Sequence, residues 1–317
     1  MNKILKTAFL TFSVACGLGL AACGGSNATT EYKETMDSIL EADAKYFVTE
    51  TVNELGVSDK EGQFLSVSLN TEEEYPLGFK IPSKIDGKDV IKIANSAFDR
   101  TDVVLVSVPQ TIKYIGIGAF SGSDLKEIEF QGEGLVSAAE YAFSGTKLEN
   151  IKFPETLTDL GSYALAGCHN LETVTFADNF SVIPEFCFNG TSSLKTVTSN
   201  GATKISQGAF ANSGIKTYQV PNGVLRIEDG AFKSCTSLTS LTFTSEATLS
   251  VIRPDAFNGC VKLNNVILPD TVTYIGTNAF ANCAALETIT FGESVSLGKD
   301  VFANTPYQDA LDAEVTE

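Results

Sequence analysis

Tryptophan is missing from this 317-residue chain, and histidine occurs once, at His169. A Cys–His nucleophilic pair with Cys168 is excluded because neighbours in sequence point apart, so His169 reads as an exposed loop residue. Basic residues are scarce as well: 22 Lys+Arg against 39 Asp+Glu leave a formal charge of −17. No cluster of Lys or Arg offsets this locally, so the surface repels nucleic acid and anionic headgroups, and nucleic acid is excluded as a partner. Proline is down to 9 residues while 43% of the chain is hydrophobic, which argues against wholesale disorder. Phosphate loops, dinucleotide fingerprints, calcium loops and zinc-protease helices are all absent. Acidic residues fall at scattered positions, so no carboxylate pair is set at catalytic spacing. The chain is expected not to be an enzyme and to need no cofactor or metal.

Phenylalanine, by contrast, is plentiful at 21 residues, and its placement is regular. Phe98, Phe120, Phe143, Phe188, Phe210, Phe232, Phe257, Phe280 and Phe302 recur every 22 or 23 residues, with one step of 25 and Leu165 in the one missing slot. Around each lies the same skeleton, seen most clearly in Pro269-Asp-Thr-Val-Thr-Tyr-Ile-Gly-Thr-Asn-Ala-Phe-Ala-Asn-Cys283. A fixed period over ten copies marks a solenoid, whose units bury their apolar faces only against each other. A second motif follows each Phe, as in Leu125-Lys-Glu-Ile-Glu-Phe130 and Leu171-Glu-Thr-Val-Thr-Phe176. Its alternation predicts a strand with one buried face. Stacked copies predict a parallel sheet with rungs about 4.8 Å apart, roughly 45 Å long over ten rungs. The Phe side chains are expected to stack in a column inside the coil, with a small residue (Ala97, Ala119, Ala279 and equivalents) before each.

The flanks differ from the repeats. Lysines at 3 and 6 precede an apolar stretch from Thr7 to Leu20, too short for a membrane span, which ends in Leu20-Ala-Ala-Cys23. That run resembles the bacterial lipobox. The resemblance implies a lipoprotein signal peptide over residues 1–22 and lipid attachment at Cys23, with the protein held to a cell membrane or cell surface and facing outside. The alternative is an ordinary secretory signal with an incidental cysteine. Residues 23–30 then form a polar tether. Residues 31–80 are expected to cap the solenoid, through a short helix within 31–48 carrying Tyr32, Met36, Ile39, Leu40 and Phe47, and a strand at Phe64–Leu69. A small separate domain is the alternative for this segment. Repeats occupy 81–305. In residues 306–317, Pro306 is expected to open a short helix whose Tyr307 and Leu311 cover the last rung, before a frayed acidic tail.

Read together, Leu-x-x-Ile-x-Phe/Leu-Pro-x-x-Val-x-x-Ile-Gly-x-x-Ala-Phe-x-x-Cys resembles the BspA-type leucine-rich repeat of bacterial surface proteins, over about residues 81–305. The resemblance implies a mainly β, curved leucine-rich-repeat solenoid of about ten units, with the Leu-x-x-Ile strands on its concave side. It also implies adhesion or interaction with a host or with other cells, through an extracellular protein or glycan. Departures are Leu165 for Phe, Ala138-Ala139 for Ile-Gly, and Ser199 where a Phe would end the strand.

Five cysteines lie in the repeats. Cys168, Cys235, Cys260 and Cys283 stand three residues beyond the Phe position, and Cys187 just before Phe188. A column spreads its members one per rung, which disfavours tetrahedral zinc and suits small buried side chains. Free thiols and disulfides between successive rungs both stay open. The candidate partner face is the outward pair on each strand: Glu127 and Glu129, Asn150 and Lys152, Thr173 and Thr175, Thr196 and Thr198, Thr217 and Gln219, Ser240 and Thr242. Ile267 and Tyr218 are the expected apolar anchors. The rival reading is an envelope scaffold with no soluble ligand.

Overall fold

The computed structural model describes residue 39 and residues 41–316. Every repeat contributes two short strands, and like strands stack in parallel from repeat to repeat. The Leu-x-x-Ile segments form a ladder of mostly three-residue rungs, such as Asn150–Lys152, Thr173–Thr175 and Thr196–Thr198, paired in register through Ile151, Val174 and Val197. The Val-x-x-Ile segments form a second ladder of two-residue rungs in two runs, Tyr114–Ile115 to Asp159–Leu160 and Val182–Ile183 to Ser296–Leu297. The chain is a mainly β leucine-rich-repeat solenoid of about ten repeats.

Between the second ladder and the next Leu, the Ala-Phe segment makes a third set of inter-repeat bonds. The Phe98 amide donates to the Ala119 carbonyl (2.6 Å), Phe120 to Ala142 (2.8 Å) and Phe210 to Ala231 (2.7 Å). Backbone polar groups facing the neighbouring coil are thereby satisfied without long strands. Two turns per repeat need left-handed backbone, two residues before and two after the Phe. Gly118 and Gly122 (φ 58 and 64), then Asn278 and Asn282 (φ 56 and 60), show the residue types that suit it.

The Phe column is present as expected. Phe98 stacks on Phe120 at 4.8 Å, Phe210 on Phe232 at 4.8 Å and Phe257 on Phe280 at 5.1 Å, all with nearly parallel planes. Leu165 interrupts it without leaving the core, being fully buried. There the aromatic contacts detour through Phe153 and Phe176, which join Phe143 (6.1 Å) to Phe188 (6.4 Å) and each other (5.3 Å). Ala138 is buried in the second ladder in place of Ile.

The termini partly depart from expectation. Phe64–Leu69 is a strand, antiparallel to Phe47–Val52 and parallel to Lys88–Ile93. The helix expected within 31–48 lies largely outside the described residues. At its described end Ala44–Tyr46 is a single 3₁₀ turn and Phe47 opens a strand, because Phe47 packs edge-on against Phe79 at 5.8 Å instead of on a helix face. The three-residue ladder starts at Gly78–Lys80, which pairs with Leu105–Pro109. At the other end Pro306–Thr316 is helical, so the expected frayed tail is a helix. The Thr305 hydroxyl accepts from the Gln308 amide as its cap (3.1 Å). Tyr307 covers Phe302 edge-on at 5.0 Å, whereas Leu311 remains 37% exposed and covers nothing fully.

Candidate functional site

On the long-strand ladder a buried apolar residue alternates with outward neighbours, so the face is set by strand geometry. Ile151, Val174, Tyr218, Leu241 and Val266 point inward. The twelve candidate residues are all exposed or half-buried. They do not form one sheet. Glu127 and Glu129 belong to the first sheet, beside Leu105–Pro109. Asn150, Lys152, Thr173, Thr175, Thr196 and Thr198 share a second, in direct register. Thr217, Gln219, Ser240 and Thr242 share a third. Charge is confined to Glu127, Glu129 and Lys152, leaving a neutral hydroxyl-rich field from Thr173 to Thr242. Part of the field is ordered internally: the Thr173 hydroxyl donates to Asn150 Oδ1, and Thr288 repeats the bond to Asn265 Oδ1 at 2.6 Å. A salt bridge from Lys195 to Glu172 (2.6 Å) runs along the strand edge.

The two expected anchors separate. Ile267 is 74% exposed on the outward side of Asn265–Ile267. Tyr218 is 3% exposed and cannot contact a partner. Its ring packs on Phe210 (4.9 Å) and Phe232 (5.3 Å), and its hydroxyl pairs with Ser199 Oγ at 3.0 Å. Ser199 stands where other repeats carry Phe, and the larger Tyr218 fills the space that this substitution opens.

All five cysteines of the described residues are free and buried. Four belong to a polar column that also holds Thr146 and Ser213, next to the Cys168 and Cys235 sulfurs (3.2 and 3.4 Å), and the hydroxyls of Thr101, Ser123, Thr191 and Thr305. Those hydroxyls donate to the carbonyl of their own repeat's Phe, as Ser123 does to Phe120 at 2.7 Å. The thiols donate one repeat back: Cys168 to Phe143 (3.1 Å), Cys235 to Phe210 (2.9 Å), Cys260 to Phe232 (3.1 Å) and Cys283 to Phe257 (3.2 Å). Burial pushes the Cys168 thiol up to about 11 and Cys283 up to about 12, and raises Cys187 further. These thiols are structural donors, not nucleophiles. His169 is exposed, and among the described residues no group of three or more His, Cys, Asp or Glu is placed to hold a metal.

A consequence follows for pH. The folded state keeps protons that the unfolded chain begins to release near the ordinary thiol value of 9.0. Stability from these groups is complete below that pH and falls as pH rises toward about 11 and 12, the folded values of Cys168 and Cys283. Thermal melting from pH 8 to 11 should therefore show a steepening loss above pH 9. Cys168→Thr with Cys283→Thr, the residue type used elsewhere in the column, should make that loss shallower, with Cys187 supplying part of what remains. An unchanged slope would contradict the assignment.

The BspA type leucine rich repeat region matches in 6 copies, over residues 91–213 and 203–311. The chain belongs to that family. Its solenoid is of the kind typical of protein–protein interaction and adhesion surface proteins. Among solved structures, a leucine rich cell surface protein from Faecalibacterium prausnitzii A2-165 is 23% identical with a TM-score of 0.58, covering 84% of this chain and 81% of that one. The pneumococcal vaccine antigen PcpA is 20% identical with a TM-score of 0.52, covering 85% and 80%. Likeness at this level shows the shared fold. No curated protein matches the chain. Among the described residues no helix is long and apolar enough to cross a membrane.

What sequence reading missed in the BspA-type repeat is the second ladder and the paired left-handed turns. The turns had a signal, since Gly, Asn, Asp or Ser fills most of those positions. Cys23, residues 1–22 and the tether at 23–30 lie outside the described residues.

Proposed function

We propose that the chain is a lipid-anchored bacterial cell-surface protein. Acylated Cys23 holds it to the membrane, and the long-strand ladder faces an extracellular protein or glycan in adhesion or in contact with host or other cells. The observation that carries the binding half is the ladder itself: six outward residues from Asn150 to Thr198 share one sheet in exact register, neutral but for Lys152. Such a face offers a partner repeated hydroxyl and amide groups on a rigid backbone, with Ile267 as an exposed apolar contact further along. A diacylglyceryl group would hold the chain stably, as two acyl chains do where one does not.

The anchoring half is tested by fractionation of expressing cells. The native protein should sediment with membranes and be digested by protease added to intact cells. Cys23→Ala should appear in the soluble fraction. A Cys23→Ala protein that stays with the membrane would refute lipid attachment at this residue.

A further inference from the structure

Tyr141, Tyr163 and Phe186 occupy the left-handed turn position two residues before the Phe column in three successive repeats, with φ of 57, 58 and 52. Neighbouring repeats place Gly118 and Gly208 there. Bulky side chains are strained in this conformation and persist where something compensates them. Here the rings stack on one another, Tyr141 on Tyr163 at 4.9 Å and Tyr163 on Phe186 at 4.8 Å, with planes about parallel (10° and 11°).

The stack is closed at one end and open at the other. A Cβ at Gly208 would lie 2.3 Å from the Phe186 ring, so that ring rests directly against Gly208. At Gly118 a Cβ would meet only the side chains of Ser121 (3.6 Å) and Ser96 (3.9 Å), and no aromatic atom. The outer face of Tyr141, a residue 41% exposed, is thus uncovered, with the half-exposed Ile117 beside Gly118. Each ring is preceded by a short or acidic residue: Glu140, Ser162 and Glu185. Both glutamates are exposed, and neither turn column carries Lys or Arg from residue 117 to residue 208.

We propose that this stack is a second docking surface, for a basic protein segment that lays an arginine side chain on the open face of Tyr141. A guanidinium is planar, stacks on aromatic faces and pairs with carboxylates; Glu140 supplies one next to Tyr141, and Glu185 supplies another at the Phe186 end of the stack for a further basic residue of the segment. The charge of −17 favours approach of a cationic partner. The surface lies in a different segment of each coil from the long-strand ladder, and the inference does not depend on the function proposed above.

The test uses the mature chain carrying Cys23→Ala and two peptide probes of equal length and charge, alternating glycine with arginine or with lysine. At physiological salt the arginine peptide should bind about 2–5-fold more tightly than the lysine peptide. Tyr141→Asn suits the left-handed backbone and should melt no lower than the parent, yet lose that preference. Glu140→Gln with Glu185→Gln should weaken both peptides, and lysine substitutions on the long-strand ladder should leave the arginine preference intact. Equal binding of the two peptides by the parent, or a preference retained in Tyr141→Asn, would overturn the proposal. So would capture of neutral maltohexaose that depends on Tyr141 in place of an arginine preference, since that assigns the stack to a glycan.

Discussion

Phe210→Ala should destabilise the solenoid by ~3–5 kcal/mol and lower its melting temperature by roughly 10 °C. The ring is fully buried, lying 5.1 Å from Phe188, 4.8 Å from Phe232 and 4.9 Å from Tyr218. Three aromatic neighbours lose a face at once, and backbone bonded to the adjacent repeat cannot collapse freely into the hole. The Phe210 amide donates to Ala231, and its carbonyl accepts from Cys235. Stability in a solenoid is shared between intrinsic repeat terms and neighbour interfaces, so a loss here weakens two interfaces together. Phe210→Leu should cost less, because Leu165 already fills the equivalent place with full burial. A melting temperature for Phe210→Ala within a degree or two of the parent would show that the column does not hold the repeats together.

The second large effect concerns Ser199 and Tyr218, which together replace the usual Phe and small aliphatic residue. Tyr218→Val alone should cost ~3 kcal/mol or more, since it opens a cavity beside Phe210 and Phe232 and strips Ser199 of its partner. Ser199→Phe alone should cost ~1–3 kcal/mol, since the new ring would compete with the Tyr218 ring for the same volume. The double variant restores the arrangement seen in successive repeats at Phe153 and Val174, where both side chains are buried. It should be more stable than either single change, with a coupling of ~1–3 kcal/mol measured by chemical denaturation. Additive losses would mean that the two residues do not share one space.

How far the sequence told this in advance depended on what each feature demands of it. The Phe column and the Leu-x-x-Ile rungs demand particular side chains at fixed spacing, and both were legible from the period alone. The short-strand ladder was not, because a two-residue strand such as Lys204–Ile205 has one inward position and cannot display an alternation. Tyr218 was misjudged as an outward anchor for a specific reason. Its polar tip suggested an outward role, whereas the strand alternation puts it inward between Thr217 and Gln219, and the space for its ring comes from Ser199 nineteen residues earlier, which only the folded coil brings beside it. Phe47 was assigned to a helix by spacing, yet its edge-on contact with Phe79 belongs to a strand of the first coil. The candidate face was legible residue by residue, whereas its division into separate sheets depends on backbone hydrogen bonds that outward side chains do not determine. Tyr141, Tyr163 and Phe186 were visible as aromatics, but their significance rests on a left-handed backbone that their residue types argue against.

The most direct test of the ladder as a binding face compares the Cys23→Ala protein with a variant that also carries Thr173→Lys, Thr175→Lys, Thr196→Lys and Thr198→Lys. These four hydroxyls lie side by side on two paired strands, with the buried Val174 and half-buried Val197 between them. Lysine there changes the outward chemistry while leaving the Phe column untouched. Both proteins would be applied to an array of extracellular matrix proteins and glycans, with melting curves recorded alongside. The account predicts at least one ligand captured by the parent and lost by a variant that melts within a few degrees of it. A ligand held equally by both proteins would contradict the ladder as the site, and a parent that captures nothing would leave the repeats as a scaffold.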